Sequence, residues 1–383
     1  MHILRIQIEI LKRGLVHIMG KRQSIIILFG GQSGEHEVSL DSAQSVLNTL
    51  DRSRYEIQTI GISKEGKWFW GVEPKDWQTP EEISTPDTLQ VTLIQDPTAP
   101  RFFALNGQEL PNHGKFDLIF PVLHGPFGED GTIQGLFEMS NAPYVGSGVL
   151  GSSLGMDKDR MKAVFSEAGL PMARSFTLLR SQFKDDSINI LNQIELEIGY
   201  PCFIKPANLG SSVGISKAYN REGLKKSIEL AALYDRKLVI EENIIGREIE
   251  VAVLGNESPR ASVPGEILPA NDFYDYEAKY HDTGSRLLIP APLEPNVTNK
   301  LQKMAVTAFQ AVEASGLSRV DFFVTADQQI FINEINTMPG FTQISMYPKL
   351  WEASGISYSE IIDRLISLGL ERFQDLRNRR ISR

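Results

Sequence analysis

Residues 331–341 read FINEINTMPGF: a strand that opens on apolar side chains, carries Glu334 and Asn336 on its second half, and breaks at Pro339-Gly340. Strand side chains alternate between faces, so Glu334 and Asn336 project together. Upstream, RVDFFV and IFINEIN flank TADQQ, which reads as a hairpin. With a two-residue loop at Asp327 and Gln328, Asp321 falls opposite Glu334, and Arg319 opposite Asn336. Acidic, amide and guanidinium groups then share one face. Hard oxygen donors in that arrangement suit Mg²⁺, which often bridges carboxylates to substrate phosphates. The same alternation fits a solvated polar face on an amphipathic hairpin.

Working outward, FIKPANLGSSVGI (203–215) ends a strand near Lys205 and continues into a loop of small residues, Gly210, Ser211, Ser212 and Gly214. Such a loop can wrap anionic oxygens with backbone N–H groups while the lysine adds a point charge. No GxxxxGK[ST] pattern occurs, and a plain Gly/Ser turn beside a snorkelling lysine reads as well. Lys158 opens a helix whose stripe is Met161, Val164, Phe165 and Ala168. A cation at a helix N-terminus opposes the dipole unless an anion lies nearby. In FGGQSGEHEVSL, Glu35 occupies the loop between a first strand and helix, where ligand sites of open α/β sheets tend to lie. His124 ends another strand, in LHGPFGEDG. Each of these two also fits a solvated loop residue or a satisfied histidine.

The 383-residue chain predicts two or three domains, with 42% apolar and 23% charged residues, as expected of a globular protein. A net charge of −9 argues against a general nucleic-acid or anionic-membrane binder. The single cysteine, Cys202, excludes an intramolecular disulfide, reads as core, and indicates a reducing compartment. The six histidines show no metal-ligand spacing. The first 23 residues lack an apolar run long enough to span a membrane and read as an extension. GSGVLG (146–151) matches the dinucleotide fingerprint, but the short APYV before it and the absence of a ribose-binding acid argue against that role. Strand, glycine turn and helix alternate to about residue 145. The polar, aromatic segment LPANDFYDYEAKYHDTGSR is expected to be a lid, followed by a helix over 299–315, the hairpin over 319–336, and a closing amphipathic helix from about Ser357.

In order along the chain, FGGQSGEHEVSL, LHGPFGEDGTIQG, MDKDRMK, KPANLGSSVG, FYDYEAKY, RVDFF and NEINTMPGFT together resemble the D-alanine–D-alanine ligases of the ATP-grasp superfamily, over about residues 24–370. The resemblance implies a three-domain ATP-grasp architecture of α/β and α+β type: an open α/β domain over 24–145, a central domain over 146–240 and a C-terminal domain over 241–383, with a lid at about 270–289. It implies ATP-dependent joining of two D-alanines through an acyl phosphate, for peptidoglycan precursor synthesis in the cytoplasm. It further implies two Mg²⁺ or Mn²⁺ ions on Asp321, Glu334 and Asn336, and a homodimer without nucleic-acid or membrane partners. By the same resemblance, Lys158, Lys205, Ser212 and Lys279 contact ATP, with Glu241, Glu248 and Ile244 on its ribose and adenine side. Glu35 holds the first ammonium in a set with Ser211 and Tyr280, and His124 lies beside it. Arg319 and the Gly340 N–H stabilise the oxyanion, and Lys279 and Ser345 receive the second carboxylate.

Overall fold

The computed structural model describes residues 22–77, 88–268 and 286–380. Most of the N-terminal extension, and the lid residues Lys279 and Tyr280, lie outside the described residues. Among those described, the strands form three sheets.

The first sheet is built on the apolar run after residue 23. Strand β1 (Gln23–Gly30) pairs in parallel with β2 (Tyr55–Ile62) on one side and β6 (Leu118–Leu123) on the other. Between β1 and β2 runs helix α1 (His36–Thr49). Its Leu40, Ala43, Val46 and Leu47 cover Ile25, Ile27 and Phe29. Strands β3 (Trp68–Trp70), β4 (Leu89–Ile94) and β5 (Arg101–Ala104) extend the sheet antiparallel beyond β2. Because the chain leaves β1 to opposite sides, a crevice opens at the carboxyl ends of β1 and β6, the position where open α/β sheets bind ligands. Glu35 and His124 stand there. Helix α2 (Thr132–Met139) then leads toward α3 (Val149–Met156) and α4 (Lys158–Glu167).

The second sheet has the order β7-β10-β8-β9, with β7 Ser175–Leu179, β8 Cys202–Pro206, β9 Ser216–Ala218 and β10 Lys237–Glu242. One face packs Cys202, Ile204, Leu238 and Ile240 against α5 (Arg180–Asp185), α6 (Ser187–Glu197) and α7 (Arg221–Ala231). Cys202 is fully buried there, and burial raises its thiol to about 11. The opposite face carries Phe203, Lys205 and Glu241, since β8 and β10 pair Phe203 with Glu241.

The third sheet contains β11 (Arg247–Gly255), β12 (Arg260–Ala261), β13 (Gly265–Leu268), β14 (Arg286–Leu288), β15 (Gly316–Val324) and β16 (Ile330–Asn336). Alternation sorts its residues. Ile249, Val251 and Val253, with Val320, Phe322 and Val324, meet Leu301, Met304 and Phe309 of α8 (Pro295–Ala311). Glu250, Arg319 and Asp321 therefore face the other way. That helix lies N-terminal to the expected 299–315. Pro295 occupies its first turn, where a fixed φ and a missing N–H cost nothing, and Glu313 with φ 55 turns the chain out beyond its end. Helix α9 (Met346–Ala353) and α10 (Tyr358–Arg377), the latter capped by Ser357, complete a core shared between the first and third sheets.

The hairpin register deciding the fold is as read: Arg319 pairs with Asn336, and Asp321 with Glu334. It is reached by a different route. Thr325 N donates to Gln329 O and Gln328 N to Thr325 O, so the loop holds three residues, Ala326 to Gln328, with Gln328 at φ 62. That longer loop shifts the pairing to Phe322 with Ile332, and a bulge beside Asp321 restores it. The bulge also changes parity along β16. Ile330 and Ile332 are buried before it and Ile335 after it, so both Asn333 and Glu334 are left facing the cleft.

Candidate active site

The faces of the second and third sheets that carry polar side chains enclose a cleft of about 900 Å³. Phe203, Ile215, Ile244, Phe323 and Leu268 supply its apolar walls, and Lys205, Glu248, Arg319, Asp321 and Glu334 its charges. A small void of about 40 Å³ adjoins it between Lys158, Ser211, Asn336 and Glu129, with Ser212 and Glu334 bordering both spaces.

Lys158 is buried at the start of α4, where Asp157 caps the helix by accepting from Arg160 N. Its Nζ donates to Leu209 O at 2.9 Å and lies 3.5 Å from Glu334 Oε2. That carboxylate answers the misfit between a cation and a helix N-terminus. Lys205 Nζ lies 2.7 Å from Glu241 Oε2 and 3.4 Å from Asn333 Oδ1. Burial works against charging Lys205, but Glu241 and Glu334 outweigh it and hold the ammonium above its ordinary range.

Glu241, expected with Glu248 on the ribose and adenine side of the nucleotide, lines the cleft and is held there by two lysines. Its buried carboxylate is shared between Lys205 and Lys162, the latter 3.0 Å from Oε1. Burial pushes Glu241 up, yet Lys205 and Lys162 together bring it down to about 2. A depressed carboxyl contributes stability above its ordinary value of 4.5 and loses it as pH falls toward about 2. Denaturant unfolding across that window is expected to show wild-type stability falling by roughly 3 kcal/mol more than that of Glu241→Gln. Parallel acid limbs for the two proteins would refute the pairing.

On the hairpin side, Arg319 grips Asp321 through two bonds of 2.7 Å, and its Nε also lies 3.0 Å from Glu250 Oε2. Asn336 Nδ2 donates to Asp321 Oδ2 at 3.0 Å. Asp321, Glu334 and Asn336 thus gather at one seam. Among the described residues no group of three His, Cys, Asp or Glu side chains surrounds a single ion position. A cation there would rest on two carboxylates, an amide oxygen and substrate oxygens, which fits Mg²⁺, an ion that retains water and phosphate ligands.

The first-sheet crevice meets this cleft. Ser211, in the left-handed region at φ 49, donates its hydroxyl to Glu35 Oε1. Gly125 and Gly210 make room for that carboxylate: a Cβ on either would lie 2.6 or 2.8 Å from Glu35 Oε2. His124 is buried, with Nε2 3.1 Å from Ser42 Oγ and Nδ1 donating to Met338 O at 3.1 Å. Burial would lower its pKa, but Glu129, 3.5 Å from Nδ1, outweighs it and raises His124 above its ordinary value. Gly340 lies against Ser345, where a Cβ would sit 3.3 Å from Ser345 Oγ. The Ser345 hydroxyl accepts from Thr342 N at 3.1 Å.

Sequence reading missed Glu129, Lys162, Glu250 and Asn333. Lys162 was legible, because it follows Lys158 by one helical turn and so shares its face. Glu250 follows Glu248 along a strand and so shares its side. Glu129 lies within a quoted glycine-rich motif, without periodicity to mark it. Asn333 reaches the cleft only through the bulge.

Three sheets with lysines and carboxylates converging between the second and third define an ATP-grasp fold. The family model described as D-ala D-ala ligase N-terminus matches residues 24–147, and that described as D-ala D-ala ligase C-terminus matches 164–367. The D-alanine–D-alanine ligase of Natranaerobius thermophilus is 52% identical over 356 residues, covering 93% of this chain and 97% of that relative. The solved D-alanine-D-alanine ligase of Coxiella burnetii superposes with TM-score 0.81 at 36% identity, covering 94% of this chain and 97% of that one. VanG D-Ala:D-Ser ligase from Enterococcus faecalis does so with TM-score 0.81 at 37% identity, covering 91% and 100%. The chain belongs to the D-alanine–D-alanine ligase family.

Proposed function

We propose that this chain joins two D-alanine molecules to D-alanyl-D-alanine, consuming ATP through an acyl-phosphate intermediate and feeding peptidoglycan precursor synthesis in the cytoplasm. The observation that carries this reading is the hydrogen bond from Ser211 to Glu35. It places the small-residue loop of the nucleotide cleft directly on the carboxylate of the first-sheet crevice. A phosphate and an amino acid held on either side of that bond are neighbours, and such proximity accounts for much of the barrier reduction in a group transfer.

The first D-alanine sits with its ammonium at Glu35 and its flank at His124. Its carboxylate oxygen attacks the γ-phosphorus, the bond to ADP breaks, and Lys158 and Lys205 hold the phosphate charge. Glu241, Glu248 and Ile244 lie along the nucleotide's ribose and adenine side, and Ser212 closes over its phosphates. When bound, two Mg²⁺ or Mn²⁺ ions on Asp321, Glu334 and Asn336 offset phosphate repulsion and polarise the transferred group. The amine of the second D-alanine, its carboxylate received by Lys279 and Ser345, attacks the acyl carbon. Arg319 and the Gly340 N–H steady the oxyanion, and inorganic phosphate leaves as the amine gives up a proton. Tyr280 and the lid keep water from the acyl phosphate. We assign the boundaries 24–145, 146–240 and 241–383 to the three domains, and a homodimer as the assembly.

The likeness to a D-Ala:D-Ser ligase favours one second reading, with D-serine as the attacking amino acid. Purified protein offered ATP, Mg²⁺ and D-alanine alone is expected to release ADP and to yield the dipeptide by mass spectrometry. ADP release only when D-serine is added would transfer the assignment to the second reading. Release with neither would defeat both.

A further inference from the structure

Lys162 is buried on α4, one helical turn after Lys158, between the two sheets that form the cleft. A buried ammonium is costly unless a carboxylate compensates it. Here the compensating group is already engaged. Glu241 Oε1 faces Lys162 at 3.0 Å while Oε2 faces Lys205 at 2.7 Å, so each oxygen takes one lysine and the carboxylate cannot rotate without losing both. Lys205, Glu241 and Glu334 line the cleft, whereas among the described residues Lys162 lies behind its wall. Whatever Lys162 contributes to the nucleotide passes through Glu241.

We propose that Lys162 is a positioning residue for the nucleotide: by locking the Glu241 carboxylate it aims the Lys205 ammonium at the phosphate end of the cleft. This rests on the ligase reading and deepens it. With Lys162 removed, Oε1 loses its partner, the carboxylate turns, and Lys205 follows it away from the phosphates. The effect falls on the nucleotide and spares the amino-acid subsites, which are built from Glu35, His124 and the loop after β16. Simple packing is a different role: a methionine of similar length would fill the space equally well.

Calorimetric titration with Mg²⁺-ATP, together with KM values for ATP and D-alanine, tests this on Lys162→Met, Lys162→Arg and Glu241→Gln. Lys162→Met is expected to weaken ATP binding by roughly tenfold or more, the scale of a buried ion pair left without one partner. Its KM for D-alanine stays near the wild-type value, and Lys162→Arg recovers most of the ATP affinity. In a Glu241→Gln background, adding Lys162→Met costs little further, because both changes break one linkage. Unchanged ATP affinity in Lys162→Met, equal rises in both KM values, or simple addition of the two losses would overturn the proposal. Should Lys162→Met not fold, Lys162→Gln carries the same expectation: selective loss of ATP binding supports the linkage, and wild-type affinity overturns it. Wild-type protein that fails to bind ATP would overturn the ligase reading along with this one. Wild-type binding beside an unaffected variant overturns this one alone.

Discussion

Glu334→Gln is expected to lower dipeptide formation by at least about a hundredfold, the scale of several kcal/mol of lost stabilisation at a transferring phosphoryl group. The substitution preserves shape and removes charge. In the present geometry the Glu334 carboxylate lies 3.5 Å from Lys158 and borders both the cleft and the smaller void, the position from which the proposed mechanism has it hold metal against phosphate. Turnover measured against Mg²⁺ concentration is expected to need more cation and to plateau far below wild type. A variant with the wild-type plateau and the wild-type Mg²⁺ dependence would remove Glu334 from the metal site.

The second large effect belongs to Arg319. Its guanidinium is part-buried against Asp321 and the buried Glu250, and although desolvation opposes its charge, those carboxylates hold it well above its ordinary range. Arg319→Met takes from both acids the guanidinium they share. Removing one partner of a buried ion pair costs about 3–5 kcal/mol. Losing a donor aimed at developing oxyanion charge costs about 10²–10³ in turnover. Thermal unfolding separates these, because a variant still folded at the assay temperature reports the turnover loss alone. Arg319→Lys is expected to restore little, since a point charge cannot reproduce the two parallel bonds to Asp321. Near-wild-type turnover in the lysine variant would show that charge alone suffices there.

Much of this site was legible because alternation and capping are local rules. The closing helix starts just after Ser357, as expected, with Ser357 accepting from Glu360 N, and the faces of β15 follow directly from period. The hairpin is more instructive. A two-residue loop placed Asp321 opposite Glu334, and the pairing holds although the loop has three residues, because an extra residue in β16 offsets it. Nothing in INEIN marks that extra residue. It is set by the tertiary need to keep Ile335 in the core while Asn333 and Glu334 turn out. Strand β3 gave no usable signal either, since three residues, Trp68–Trp70, are too few to show a period, whereas β4 was passed over although Leu89, Val91 and Leu93 alternate. The misplaced helix had the opposite cause: Pro295 was a start signal in plain view, passed over for the apolar stripe further on. Glu241 could not have been assigned from sequence, for its engagement depends on a lysine far along the chain.

Helix α10 supplies Ile361, Ile362, Leu365 and Ile366 to the core that also holds Ile25, Ile27 and Phe29, while Asp363 accepts from the Tyr55 hydroxyl at 2.8 Å. A helix made late in synthesis therefore seals the underside of a sheet made early. Domains usually mature in the order of their translation. In this chain the first sheet waits, its apolar flank uncovered, until α10 has been made. A stop codon ahead of α10 would thus strike a sheet made long before it, and the cost of losing that helix would be read at β1 and β2.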